Sequence, residues 1–127
     1  MAFEVIVPEG MNVEDSPLSP GTKAGDFVFV SGQASVGEDG KIISDTFENE
    51  FRRSMENVRK ILNAAGLDLK DVVKVVSYVA DRQYSKEYAE LYKEYFKDPK
   101  PVRTTLVNCI PADVIKYEID VIAYAGK

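Results

Sequence analysis

Apolar side chains return at helical spacing through residues 45–65, where Phe47, Phe51, Met55, Val58, Ile61, Leu62 and Ala65 fall on one stripe. Asp45 is placed to cap this helix, and Glu48 three residues on completes the spacing of a capping box. Glu48–Arg52 and Glu56–Lys60 stand four apart on the wet side, and Gly66 supplies the stop. A second stripe of Tyr84, Tyr88, Leu91, Tyr92, Tyr95 and Phe96 predicts a helix over 83–97, ended by Asp98-Pro99-Lys100-Pro101. Elsewhere the period falls to two. Strands are expected over 3–7, 27–31, 41–44, 72–80, 102–110 and 117–124. The stretch 9–23, with Gly10, Pro17, Pro20 and Gly21, reads as a loop.

This order of strands, helix, strand, helix and two closing strands predicts an α+β fold, a mixed sheet with two helices, in one domain over residues 1–127. The passage from Val79 through the second helix to Val102 is a crossover, right-handed if its strands are parallel. Alternation places Val73, Val75 and Val79 on one face, with Val72, Val76 and Tyr78 on the other. Phe27 and Phe29 oppose Val28 and Val30 in the same way. A sheet apolar on both faces needs cover on both, and two helices cover about one face. A second copy of the chain is the simplest cover for the other, so homo-oligomerisation is expected from pattern alone.

Composition narrows the chemistry. The formal net charge is −5, which argues against nucleic acid as a partner, since gripping a phosphate backbone needs clustered Lys and Arg. No histidine is present, so no Ser-His-Asp triad, Cys-His pair or His-ligated metal site can form. Cys109 is the only cysteine and reads as a small buried hydrophobe; no internal disulfide is possible. The start Met1-Ala2-Phe3-Glu4 lacks the basic and apolar regions of a signal peptide, and no apolar run reaches the roughly 20 residues of a membrane span. A cytoplasmic protein without a membrane partner is expected.

Arg103 opens a strand just after the Pro-rich stop, and its planar fork suits a carboxylate. Arg103, Thr105 and Val107 share one strand face; Glu118, Asp120 and Ile122 share one face of the next. Paired suitably, these strands bring an arginine, a hydroxyl and a carboxylate together. The plainer expectation for Arg103 and Glu118 is a structural ion pair. Ser31-Gly32-Gln33 ends a strand at a glycine that permits close backbone approach, though alone it reads as a turn. The tyrosines of the second helix read as packing, not as a base-stacking platform.

Ser31-Gly32-Gln33, residues 57–67 (NVRKILNAAGL), Asp71-Val72-Val73-Lys74-Val75, Pro101-Val102-Arg103-Thr104-Thr105 and residues 117–123 (YEIDVIA) together resemble the Rid (YjgF) family, in order from about Pro17 to the end. The resemblance implies a chorismate-mutase-like fold, a mixed sheet with two helices on one face. It also implies a homotrimer with sheets packed inward and a cleft at each subunit interface. Its implied activity is hydrolysis of 2-imino acids, such as 2-iminobutanoate and 2-iminopropanoate, to 2-keto acids and ammonia, with no cofactor or metal. The imines would come from enamines released by pyridoxal-phosphate dehydratases. Carried over by residue, Arg103 holds the substrate carboxylate. Glu118, with the backbone carbonyl of Thr105, orients the attacking water. Ser31 and Gly32 line the cleft. Leu18, Ala89 and Thr105 stand where the best-characterised branch has tyrosine, asparagine and cysteine. The alternative is a non-catalytic protein binding a 2-keto acid in the same cleft.

Overall fold

The computed structural model describes residues 2–126; Met1 and Lys127, the ends of the expected domain, lie outside them. Strands β1 (Glu4–Ile6), β2 (Gly21–Ala24) and β3 (Phe27–Gln33) precede helix α1 (Phe47–Ala64). They are followed by β4 (Val72–Val79), α2 (Ser85–Tyr95), β5 (Val102–Val107) and β6 (Tyr117–Tyr124). One six-stranded sheet results, ordered β1-β2-β3-β6-β4-β5. Only β4 and β5 run parallel, joined by the α2 crossover as the sequence suggested. β6 lies between β3 and β4 and pairs antiparallel with both.

Both helices cover one face. Phe47, Phe51, Met55, Val58, Ile61 and Leu62 of α1 are buried against Val28, Val30, Val75, Val79 and the odd-numbered residues of β6. Tyr88 and Leu91 of α2 extend the same core, and Tyr117 packs edge-on or tilted against Phe47, Phe51 and Tyr88. The opposite face is left uncovered and carries a band of apolar side chains. Phe27 is 42% exposed and Phe29 41%, against 0% for Val28 and 4% for Val30. Register partners Tyr124, Ile122, Leu106 and Val102 continue that open face.

Several local features differ from the expectations, each for a physical reason. Residues 21–24, read as loop, form β2, which turns back into β3 at Gly25, held at φ 61°. Residues 41–44 make only an isolated bridge between Val36 and Ile42. The cap of α1 is Thr46, whose side chain accepts from the Asn49 N–H; Asp45 instead accepts from the Thr46 N–H and the Asn49 side chain. Glu48 pairs with Arg52 as expected, whereas Glu56 pairs with Arg59. A register shift between Val72 and Lys74 inserts one residue, which buries Val72 with Val75 and leaves Val73 exposed. β5 stops at Val107 because Asn108 turns left-handed (φ 62°), and Cys109 beyond it is exposed, not buried. Among the described residues no helix is long and apolar enough to cross a membrane.

Glu50 ties the two ends of this design. It is fully buried; Oε1 accepts from the Lys116 backbone N–H at 2.9 Å. Oε2 accepts from the Asp45 N–H at 2.9 Å and from Lys116 Nζ at 3.3 Å. One carboxylate therefore joins the entry of α1 to the entry of β6. Removing it strands two backbone donors and an ammonium, so Glu50→Ala is expected to cost on the order of 3 kcal/mol. Urea unfolding checks this; a loss below about 1 kcal/mol would show that Glu50 is not the tie described.

Candidate functional site

Arg103 sits on edge strand β5, opposite Val75, and Thr105 opposite Ser77. Both therefore lie on the helix-covered side. The guanidinium carbon of Arg103 stands 4.5 Å from the ring centre of Tyr92 and 5.4 Å from that of Tyr88. Tyr88 is anchored in the core, and its hydroxyl is 2.9 Å from Thr105 Oγ1, close enough for a hydrogen bond in either sense. The Tyr92 hydroxyl is buried without a hydrogen-bond partner among the described residues. Burial, with Tyr88 beside it, raises the Tyr92 phenol to about 12 while Arg103 pulls the other way. Arg103 itself is exposed and makes no ion pair among the described residues. Ala89, next to Tyr88 on α2, is exposed.

Glu118 belongs to the other face. It lies opposite Tyr78 on β4, and Asp120 lies opposite Val76. The Tyr78 hydroxyl donates to Asp120 Oδ2 at 2.7 Å, which with burial lifts the Tyr78 phenol to about 12. Glu118 is half-buried; burial first, and the Asp120 charge second, raise its carboxyl above the ordinary range. Gly32 lets the Glu118 carboxylate lie close against the backbone; a Cβ at that position would make the carboxylate move aside. Gly32 and Glu118 form one wall of a cleft of about 780 Å³, which also meets Leu18, Gln33, Asn57 and Lys60. Ser31 turns away from the cleft: its hydroxyl donates to the Ser19 carbonyl at 2.6 Å, and its N–H to the Pro20 carbonyl at 2.9 Å. It fixes the loop that carries Leu18.

The expected residues therefore form two groups. Arg103, Thr105 and Ala89 gather around α2 and β5; Glu118, Gly32 and Leu18 gather on the open side. Convergence of Arg103 with Glu118 in one chain does not occur, nor does the expected ion pair between them. β4 stands between their strands, and they face opposite ways. Tyr88 and Tyr92 are the partners of Arg103 that sequence reasoning missed. Their helical stripe correctly signalled packing, and nothing in a stripe shows which cation will lie against its edge.

A sequence model described as Endoribonuclease L-PSP matches residues 13–125. A RutC family protein of Pyrococcus horikoshii is 38% identical over 123 residues, 95% of this chain and 97% of that protein. Reactive Intermediate Deaminase A, chloroplastic, of Arabidopsis thaliana is 35% identical over 122 residues, 94% of this chain and 65% of that protein. Among solved structures, E. coli TdcF with bound serine superposes with a TM-score of 0.80 at 30% identity, over 95% of this chain and 98% of that one.

The raised carboxyl makes a stability prediction. In the unfolded chain Glu118 titrates near the ordinary glutamate value, below its folded value. The stability linked to this group is thus fully present below the unfolded pKa and is lost as pH rises through the folded one. Glu118→Gln removes that loss. Its Tm is expected to exceed the wild-type Tm at about pH 7, and the difference to vanish near pH 4. Calorimetry at both values decides; a pH-independent difference contradicts the account.

Proposed function

This chain belongs to the Rid/YjgF family, and from that premise we propose that it hydrolyses reactive 2-imino acids, 2-iminobutanoate and 2-iminopropanoate among them, to 2-keto acids and ammonia at sites shared between copies in a homotrimer. The observation that carries this reading is the division of the site. An unpaired arginine fork and a half-buried carboxylate with a raised pKa occupy opposite faces of one chain. No small molecule can touch both unless one copy supplies Arg103 and its neighbour supplies Glu118. The uncovered apolar face, with Phe27 and Phe29, provides a reason for copies to associate there.

In this reading the fork of Arg103 holds the substrate carboxylate by paired hydrogen bonds. Ala89 beside it, and Leu18 and Gly32 across the cleft, form walls; Ser31 holds the Leu18 loop. Glu118 of the neighbouring copy and the Thr105 carbonyl orient a water toward C2. As the water oxygen bonds to C2, Glu118 takes one of the water's protons and passes it to the nitrogen, so that the C2–N double bond becomes single. In the resulting carbinolamine the same carboxylate moves the hydroxyl proton to the amine, the C2–N bond breaks with its electron pair going to nitrogen, and ammonia leaves the 2-keto acid behind. A carboxyl with a raised pKa suits that proton transfer, because a base works best near the operating pH. Imines hydrolyse readily, so positioning carries most of the rate gain.

The serine bound in the TdcF relative favours a second reading, in which the same cleft binds a small carboxylate such as a 2-keto acid without turnover. RNA cleavage, suggested by the family's description, is disfavoured by the net charge of −5 and the lack of histidine.

Imines generated in situ by an amino-acid oxidase and trapped with semicarbazide separate these readings. Wild-type protein is expected to deplete the imine, with kcat/KM lowered about 100-fold in Arg103→Ala. Its rate should fall on acidification with an apparent pKa above 4.5, as Glu118 protonates. Coassembling Arg103→Ala with Glu118→Gln should restore activity to about a quarter of the interfaces at equal mixing, half times half. No regain would show that one copy supplies both groups. Unchanged imine decay with wild type, together with saturable 2-oxobutanoate binding, would establish the binding-protein reading instead.

A further inference from the structure

We propose that Tyr88 and Tyr92 are positioning residues for the Arg103 clamp, a ring platform that fixes the plane of its fork and leaves the fork's edge free for a carboxylate. The inference rests on the reading of Arg103 as the carboxylate clamp. Its geometry is independent of any ligand. Arg103 lies on an edge strand, bonded to a neighbour on one side only, and nothing acidic holds its guanidinium among the described residues. An arginine so placed would ordinarily sweep through many rotamers, and ordering it would weaken binding. Here the guanidinium carbon rests 4.5 Å from the Tyr92 ring centre and 5.4 Å from that of Tyr88.

A guanidinium drawn to a ring can meet it with its face. Its in-plane N–H donors point outward from the edge and stay available. A carboxylate partner inside the chain would have consumed those same donors. The platform is itself rigid. Tyr88 packs against Phe51 and Tyr117, with centroids 6.3 Å and 5.8 Å away, and Tyr92 against Phe96 at 4.7 Å. Contact between the Tyr88 hydroxyl and Thr105 Oγ1, two residues beyond Arg103, pins the strand to the same ring. Helix, strand and arginine therefore move as one body. The substrate carboxylate keeps its charge throughout imine hydrolysis, so its clamp contributes equally to ground and transition states. Disturbing the platform must then appear in KM and not in kcat.

The first test uses the unaltered protein. The Arg103 Nε–Hε resonance, assigned by its disappearance in Arg103→Ala, is expected upfield of ordinary arginine signals through ring currents, and ordered on the nanosecond scale. A signal of ordinary shift and high mobility overturns the proposal without any core substitution. Tyr92→Leu is expected to abolish the upfield shift and raise KM for the imine roughly tenfold, with kcat within about twofold of wild type. Tyr92→Phe, which keeps the ring and removes only a hydroxyl without a partner among the described residues, should stay within about twofold in KM. A folded Tyr92→Leu with wild-type KM and resonance overturns the proposal. Failure of the underlying reading looks different: wild-type protein would neither deplete the imine nor shift the Arg103 resonance on adding 2-oxobutanoate, and both proposals would fall.

Discussion

The alternation of β6 at the centre of the sheet is the constraint from which most of this structure follows. Tyr117, Ile119, Val121 and Ala123 must point to the helices, since together they floor the core. Glu118, Asp120 and Ile122 must then point the other way. A shift of one residue would bury two carboxylates under α1 and expose Tyr117, so the register is strongly held. Glu50 reinforces it from outside the strand by gripping the Lys116 N–H immediately before Tyr117. The position of Glu118 on the open face is thus decided by packing on the face it does not occupy.

Much of the architecture was legible in the chain. The stripe of α1 and the two-faced strands each came from a single strong period, and the parallel crossover came from a simple topological rule. What escaped reading had weak local signals or distant partners. The polar run Gly21-Thr22-Lys23-Ala24 carries no strand signature, and becomes a strand because β1 and β3 lie on either side of it. The extra residue at Val73 breaks the alternation without leaving a mark in composition. For the site, residue types singled out Arg103 and Glu118 as groups worth following. Their separation depended on strand order, which sequence neighbours do not reveal: β5 and β6 adjoin in the chain and not in the sheet.

That separation has a physical consequence. An arginine and a glutamate in reach of one another in one chain would form an ion pair, lowering the pKa of the acid and occupying the fork. Placed on opposite faces, neither is neutralised. Arg103 is steadied by aromatic rings, which attract its charge yet leave its donors unused. Glu118 is pressed by partial burial and by Asp120 toward the proton-binding state. The arginine keeps its donors free for a carboxylate, and the acid gains the proton affinity that a base acting on water would use.

Such an arrangement stores its tension in the isolated chain. The raised Glu118 carboxyl weakens the fold at neutral pH, and the uncovered Phe27 and Phe29 leave apolar area in water. Association across the open face would relieve the second and deepen the first, since further burial lifts a carboxyl pKa unless a donor or a cation arrives with it. A neighbouring copy can bring Arg103 near, but with its fork given to the substrate. In the empty site the free fork would favour the charged acid, and an anionic substrate that takes the fork would push the acid back toward its protonated form. Under the proposed reading, assembly would set the charge of Glu118 as well as the shape of the site.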